Sequence, residues 1–285
     1  MELNKIIKFI REASSLSQED FAEKIGVARL AVIRWENDKV TPNRIAQTKI
    51  YEIVKEKRIK LYDFMVKDLP EHKIENNIIT LYHGSKSGIA GSIRPISREC
   101  CDFGPGFYTG TQVQQPLTLI CTHPESVLYI VELNLNGLKA FNIPTGIDWA
   151  MLVAYSRGKL EQCKGTPLYE KYKKMLAGYD IVIGGIANDR MFFVLDRFFE
   201  GAITDKGLVE SLSALQLGTQ YVALTDKACK QIKIVSSMGL SELERLCLGD
   251  ISENNRKYGV ETANEICKTY RREGRFFDEI LQEDK

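Results

Sequence analysis

Two short motifs in the middle of the chain carry residue types that could hold a planar ring. His83, Gly84 and Ser85 directly follow a strand-like run of apolar residues. Downstream, the segment DFGPGFYT at Asp102–Thr109 places Tyr108 just after a glycine-rich turn. A tyrosine is an aromatic platform with a polar end, and a neutral histidine both donates and accepts hydrogen bonds. Each motif alone is equally consistent with a turn that leads into a strand.

In this order, a strand ending in His-Gly-Ser followed by FGxGxY resembles the ADP-ribosyltransferase superfamily, in the branch of diphtheria toxin and the poly(ADP-ribose) polymerases. The resemblance implies that His83 binds a ribose hydroxyl of NAD and that Tyr108 stacks on the nicotinamide ring. It further implies that the Gly84 backbone pairs with the nicotinamide amide, with Ser85 as an additional contact. A carboxamide needs one donor and one acceptor, which an exposed backbone supplies. NAD would be the substrate, and no metal is implied.

The third element of that superfamily is a glutamate that opens a late strand, and here the stretch LGTQYVALT at 217–225 holds Gln220 instead. A carboxylate would stabilise the developing oxocarbenium charge. An amide can hydrogen-bond ribose hydroxyls but cannot act as a base. We therefore expect His83, Tyr108 and Gln220 to be the catalytic residues of a transfer of single ADP-ribose units rather than of chain elongation. An inactive NAD-binding domain is the alternative.

A fourth segment points to a particular branch of the superfamily. The apolar strand YDIVIGGI at 179–186 is followed by the polar turn Ala187–Arg190. This pattern resembles the bacterial DUF3990-type proteins, and the resemblance implies that a glutamine in the third motif is a family feature. Asn188 would contact NAD phosphates or the acceptor, or else cap the following helix.

Three further polar residues lie near the second motif. Asp102 is interpreted as a turn former rather than a base. Arg94 and Arg98 are interpreted as solvated surface arginines, with contacts to pyrophosphate as the alternative because arginine suits phosphate oxygens.

The N-terminal segment shows successive amphipathic helix patterns separated by a turn. Ser17 is a favourable N-cap, and Gly26 can end the helix in a left-handed conformation. The stretch LSQEDFAEKIGVARLAVIRWENDKVTPN at 16–43 closely resembles the phage-repressor (Cro/C1, Xre-type) helix-turn-helix family. The position that opens the third helix is Ala28 rather than the usual Ser or Thr, which removes a cap worth about 1 kcal/mol.

The helix-turn-helix resemblance implies that the third helix lies in the major groove of DNA and that paired half-sites favour a homodimer. Side chains expected to face base edges are Arg29, Leu30, Ile33 and Arg34, and those expected near phosphates are Gln18, Asn37 and Lys39. The alternative is a domain that mediates only protein contacts.

These patterns predict a multidomain chain of 285 residues. An all-α helix-turn-helix bundle is expected at 1–68, an α+β split-sheet ADP-ribosyltransferase-like domain at 79–236, and a short helical C-terminal extension at 237–285, with a linker at about 67–78. The chain break that sets the last boundary is predicted at Ser237–Gly239.

Composition limits the function classes. The net charge of +1 means that DNA binding must depend on a local basic face. Seven cysteines without zinc-finger spacing, together with the lack of a long apolar run, predict a cytoplasmic protein that does not span a membrane.

The combined prediction is a bacterial or phage toxin or defence protein that binds DNA and transfers one ADP-ribose from NAD to an unknown acceptor. A transcriptional regulator that senses NAD or a related nucleotide without catalysis, and an NAD glycohydrolase, are the alternatives.

Overall fold

The computed structural model describes residues 2–97, 100–187, 193–214 and 217–283. It begins with a bundle of five helices: α1 (Leu3–Ala13), α2 (Gln18–Ile25), α3 (Arg29–Glu36), α4 (Arg44–Glu56) and α5 (Leu61–Val66). The apolar stripe of α1 and the buried side chains Phe21, Val32 and Trp35 form the centre of this bundle.

Local sequence determines the helix-turn-helix geometry. The side chain of Ser17 accepts a hydrogen bond from the Asp20 N–H, and the Asp20 carboxylate accepts one from the Ser17 N–H, which makes a capping box at the start of α2. Gly26 ends α2 with φ of 77°, a left-handed conformation that glycine adopts without strain. As the sequence predicts, Ala28 precedes α3 without a side-chain cap.

The rest of the chain is built on one mixed sheet. Its strands are β1 (Ile74–Glu75), β2 (Ile78–Ser85), β3 (Phe107–Gly110), β4 (Val127–Asn134), β5 (Ala140–Ile143), β6 (Ile181–Gly185), β7 (Thr219–Ala223) and β8 (Ile232–Gly239). Across the described residues the order is β5-β6-β7-β3-β2-β4-β8, with β1 paired to β2. Only β5 and β6 run parallel among these pairs.

The sheet opens between β2 and β3. Their recorded register is a single pair, Tyr82 with Gly110. By contrast, β2 pairs with β4 along its whole length from Ile78 to Ser85, and β3 pairs with β7 from Phe107 to Gly110. Beyond Tyr82 the two halves therefore separate, which gives the sheet its split.

The helices after β3 are α6 (Gln114–Ile120), α7 (Ile147–Ser156), α8 (Pro167–Met175), α9 (Phe193–Phe199), α10 (Asp205–Ser213), α11 (Asp226–Cys229), α12 (Glu242–Thr269) and α13 (Phe277–Glu283). Most of them cover one face of the sheet at two places, whereas α11 packs with Phe107 and Ala223 on the opposite face. The fully buried Trp149 of α7 and Phe198 of α9 pack with Val182 and Val222 of the sheet. On the other half, Leu128 and Ile130 of β4 pack with α6 and with the N-terminal bundle.

The 28-residue helix α12 connects these two packed regions. Leu243 and Leu248 near its start belong to the core that contains the N-terminal bundle. Ala263 and Cys267 near its end belong to the core that contains α7 and α9. The N-terminal region therefore shares a hydrophobic core with the sheet and with α12 rather than folding around a separate one.

Two predicted boundaries differ from the structure. The break expected at Ser237–Gly239 is instead the end of β8, because these residues pair with Val127–Tyr129 of β4. The predicted linker at 67–78 includes β1, and the Nδ1 atom of His72 lies 2.8 Å from the Thr80 carbonyl oxygen. In the described ranges of the chain, none of the helices is long and apolar enough to cross a membrane.

Candidate functional site

A cleft of about 790 Å³ lies where β2 and β3 separate. Five residues predicted at the NAD site line it, namely His83, Gly84, Ser85, Tyr108 and Gln220. Its volume falls within the range of small-molecule sites. The sixth predicted residue, Asn188, lies outside the described residues.

Strand alternation places these side chains on two faces of the sheet. Gln220 pairs with Gly110, which pairs with Tyr82, so these three residues share one face. Tyr108 and Gly84 lie two residues further along their strands and share that face as well. His83 is on the opposite face and reaches the cleft through the gap between β2 and β3.

His83 bridges this gap through its imidazole ring. Its Nδ1 atom is 2.7 Å from the carbonyl oxygen of Tyr108. Because a carbonyl oxygen only accepts, Nδ1 carries the hydrogen, and Nε2 of the neutral ring is then an acceptor. The ring stacks on Phe107 with 4.2 Å between centroids. Burial lowers the pKa of His83, which favours this neutral form.

The hydroxyl group of Tyr108 is fixed by the turn that precedes β3. It accepts a hydrogen bond from the Phe103 N–H at 3.0 Å and donates one to the Gly104 carbonyl oxygen at 2.7 Å. Burial raises the pKa of Tyr108, so the phenol remains protonated. A Cβ atom at Gly106 would lie 2.5 Å from Val222 Cγ1, so this turn requires a glycine. The turn therefore holds the aromatic ring at the cleft wall in one orientation.

Gly84 allows α6 to cross β2 closely. A Cβ atom at this position would lie 2.8 Å from Ile120 Cγ2 and 2.9 Å from the Pro116 carbonyl oxygen. The hydroxyl of Ser85 donates to the Gly88 carbonyl oxygen at 2.8 Å and so closes a turn at the end of β2. Gly84 is thus constrained by packing as well as by its place at the cleft.

Gln220 is joined to a buried ion pair. Its Nε2 atom donates to Asp102 Oδ2 at 2.7 Å and to the Gly185 carbonyl oxygen at 2.9 Å. Asp102 Oδ2 also accepts from the Ala187 N–H at 3.1 Å. The other carboxylate oxygen, Oδ1, accepts from Arg157 Nη2 at 2.5 Å and from Arg157 Nε at 3.1 Å.

The interpretation of Asp102 as a simple turn former is therefore incomplete. Its side chain is only 5% exposed and that of Arg157 is 17% exposed, and both residues line the cleft. The sequence offered no specific signal for this pairing, because the two residues are 55 positions apart and meet only when α7 packs on the sheet. Sequence reasoning missed Arg157 altogether as a site residue.

Cationic and amide side chains line the outer part of the cleft. Lys86 and Arg94 are exposed residues of the segment after β2, and Asn255 reaches the cleft from α12. Arg94 is thus both a surface arginine and a residue that could meet a phosphate. Arg98 lies outside the described residues.

The predicted DNA-contacting residues form an outward face on α3 and its flanks. Arg29, Leu30, Arg34, Asn37 and Lys39 are exposed, and Leu30 is 54% exposed despite being apolar. This face is directed away from the core that α3 forms with α1 and α2, so it is open to a partner.

Gln18 and Ile33 are less exposed than the other predicted DNA contacts. The Nε2 atom of Gln18 donates to Glu36 Oε2 at 2.8 Å, and Arg11 also binds Glu36 through an ion pair. Ile33 is partly buried. Among the described residues, no group of three or more His, Cys, Asp or Glu side chains is arranged to hold a metal ion.

Comparisons with protein families assign both parts of the chain. The model of a family described as a protein of unknown function, DUF3990, matches residues 79–234, and a helix-turn-helix model matches residues 7–45. The second match supports DNA binding by the N-terminal region. Searches of curated proteins and of solved structures found no match.

Proposed function

The chain belongs to the DUF3990 family, and we propose that it is a DNA-binding protein whose sheet domain takes NAD as substrate and transfers one ADP-ribose. The observation that carries the proposal is the convergence of His83, Tyr108 and Gln220, from three separate strands, on one cleft. Such a combination of domains fits a toxin or defence protein that also binds DNA.

The cleft has the chemical groups that NAD requires. The ring of Tyr108 offers a flat surface for nicotinamide. The Nε2 atom of His83 accepts a hydrogen bond from a ribose hydroxyl, and a neutral ring does so without a charge that would repel the cationic nicotinamide. Lys86 and Arg94 at the mouth are suited to the pyrophosphate.

In the proposed reaction the bond between nicotinamide nitrogen and ribose C1′ breaks, and its electron pair stays on nicotinamide. A nucleophilic atom of the acceptor then bonds to C1′ and loses its proton to solvent or to a neighbouring base. Gln220 is neutral, so it positions a ribose hydroxyl instead of stabilising the developing positive charge with a carboxylate. We therefore propose a slow, single transfer.

The binding step of this proposal is tested by titrating NAD into the full-length protein in a calorimeter. Tyr108→Ala and His83→Ala should each weaken NAD binding by about twofold to tenfold, since each removes a contact worth about 0.5–1.5 kcal/mol. Tyr258→Ala is the matched control, because Tyr258 is an exposed aromatic residue of α12 that does not line the cleft. Equal NAD affinity in the wild type and all three variants would mean that the cleft is not the NAD site.

A further inference from the structure

The amide group of Gln220 has a fixed orientation. Both neighbours of its Nε2 atom, Asp102 Oδ2 and the Gly185 carbonyl oxygen, only accept hydrogen bonds. The two N–H hydrogens satisfy these two acceptors. A flipped amide would place Oε1 against both oxygens, so the neighbours exclude that orientation. The remaining hydrogen-bonding group of the side chain is the acceptor Oε1, and Gln220 lines the cleft.

The carboxylate of Asp102 is itself held in place from several directions. Arg157 contributes two N–H groups to Oδ1, and the Ala187 N–H occupies Oδ2 beside Gln220. The side chain is 5% exposed, so it contacts these groups in place of bulk water. Hydrogen bonds to an ionised acceptor are stronger than neutral ones, which makes this carboxylate a firm anchor for the amide.

Asp102 also begins the turn that holds Tyr108. The next two residues, Phe103 and Gly104, provide the N–H and the carbonyl oxygen that fix the Tyr108 hydroxyl. One buried residue therefore determines the positions of the aromatic wall and of the amide on the same face of the sheet.

We propose that Asp102 is a positioning residue, held by Arg157, that turns the Oε1 atom of Gln220 toward the cleft as an acceptor for a ribose hydroxyl of NAD. The proposal rests on the proposed function for the identity of the ligand. The orientation of the amide, however, depends only on Asp102 and Gly185. In this arrangement a neutral acceptor is oriented by a buried carboxylate that also lines the cleft.

The orientation is tested first without ligand, by NMR of the side-chain amide groups of the full-length protein. Loss of a signal in Gln220→Ala assigns the Gln220 amide. We expect its two hydrogens to exchange with solvent at least tenfold more slowly than those of Gln231, whose amide makes one long, exposed contact of 3.4 Å. Exchange as fast as that of Gln231 would overturn the positioning role, whether or not NAD binds.

The second measurement is a double-mutant cycle on NAD affinity, with the variants Asp102→Asn, Gln220→Ala and the pair together. Asp102→Asn keeps the shape of the side chain but leaves only one oxygen to accept hydrogen bonds from Arg157, Ala187 and Gln220. Each single variant should weaken NAD binding about threefold to tenfold, the effect of one hydrogen bond. The double variant should be no weaker than Gln220→Ala by more than about twofold, because Asp102 acts through Gln220.

Asp180→Asn is the matched control for the cycle. Asp180 is also a buried carboxylate that pairs with a cation, Lys227, and accepts a backbone N–H, that of Lys139, but it does not line the cleft. It should leave NAD affinity unchanged. If the effects of Asp102→Asn and Gln220→Ala on NAD affinity simply added, the positioning role would be overturned. The proposal that the cleft binds NAD would still stand.

The two failures are distinguishable. Wild-type protein that does not bind NAD would overturn the proposed function, and the exchange rates of the Gln220 amide would then decide the positioning role by themselves. If Asp102→Asn does not fold, those wild-type exchange rates and the Gln220→Ala affinity still provide both tests.

Discussion

The neutral imidazole ring of His83 connects β2 and β3 where the sheet opens. It donates from Nδ1 to the Tyr108 carbonyl oxygen across the gap between β2 and β3, where backbone pairing has stopped. One side of the ring is covered by Phe107, so protonation would place a charge in a poorly solvated position. Burial accordingly lowers the pKa of His83.

This lowered pKa gives a prediction for stability. The unfolded chain takes up a proton at His83 near its ordinary pKa of 6.5, whereas the folded protein resists it until a lower pH. Between these two pKa values the unfolded state binds more protons than the folded state. The contribution of the neutral His83 to the unfolding free energy therefore falls as the pH drops through this window, and it is fully present above the window. The difference in unfolding free energy between wild type and His83→Asn should therefore shrink as the pH falls from 7 toward 5.

Urea unfolding of both proteins across this pH range measures the effect. His83→Asn is suitable because its amide nitrogen can still donate toward the Tyr108 carbonyl oxygen, and the other two histidines are present in both proteins. A difference that stays constant, or grows, on acidification would contradict the assignment of a neutral ring.

At the scale of elements, the close crossing of α6 over β2 constrains the cleft. Gly84→Ala would bring a Cβ atom to 2.8 Å from Ile120 Cγ2 and 2.9 Å from the Pro116 backbone oxygen, so α6 must move. We expect a loss of about 1–3 kcal/mol in unfolding free energy, the usual cost of overpacking. Gly249→Ala on α12 is the control.

Gly249 is suitable because a Cβ atom there meets nothing within 4 Å and the position is inside a helix. Alanine should therefore leave stability unchanged or raise it by up to about 1 kcal/mol. Thermal unfolding of the two variants distinguishes them. Equal stability of Gly84→Ala and wild type would mean that α6 does not pack on β2 as closely as described.

The elements differ in how far the sequence determines them. The capping box at Ser17, the left-handed Gly26 and the uncapped Ala28 are local features, so the helix-turn-helix was predictable from adjacent residues. The two glycine-rich motifs likewise predicted the cleft residues His83 and Tyr108, because each motif is contiguous. By contrast, the sequence predicts a break at Ser237–Gly239, because the strand conformation of these residues depends on pairing with β4.

The ion pair of Asp102 and Arg157 at the cleft was likewise not predictable from adjacent residues. Asp102 has the neighbours of a turn former in sequence, and its burial arises only when Arg157 and Gln220 arrive from α7 and β7. Neither contact has a spacing that a single sequence would reveal. Long-range polar contacts of this kind require the tertiary structure.

At the scale of the whole molecule, α12 links the DNA-binding region to the sheet. Leu243 packs in the core of the N-terminal bundle, and its N–H donates to Gln47 Oε1 of α4 at 3.0 Å. The hydroxyl of Tyr51 donates to Asp250 Oδ2 at 2.8 Å. Ser252 and Asn255 lie within two turns of Asp250 on the same helix, and both line the cleft. The helix therefore contacts both functional regions.

A shared core predicts cooperative unfolding of the two regions. The chain has two tryptophans, Trp35 in α3 and Trp149 in α7, so Trp149→Phe and Trp35→Phe leave one reporter in each region. In each variant the fluorescence midpoint in urea should coincide with the midpoint of the far-UV circular dichroism signal, which reports on both regions. Leu243→Ala, added to either variant, should lower the urea midpoint of both. The expected loss in unfolding free energy is about 2–5 kcal/mol, because the substitution removes a fully buried side chain.

The control is Tyr258→Ala, which truncates a side chain on the exposed side of the same helix and should change stability by less than 0.5 kcal/mol, roughly the range for surface positions. If Leu243→Ala shifted only the Trp35 transition, the N-terminal bundle would be an independent domain, contrary to the common core described above.

The most direct test of the central proposal is to incubate the full-length protein with NAD labelled in both its nicotinamide and its adenylate halves. We expect release of labelled nicotinamide above the buffer rate together with adenylate label on an acceptor, and loss of both in Tyr108→Ala. Nicotinamide release with only free ADP-ribose would indicate a glycohydrolase, and NAD binding without release would indicate a nucleotide-sensing regulator. Neither binding nor release by the wild-type protein would contradict the assignment of the cleft to NAD.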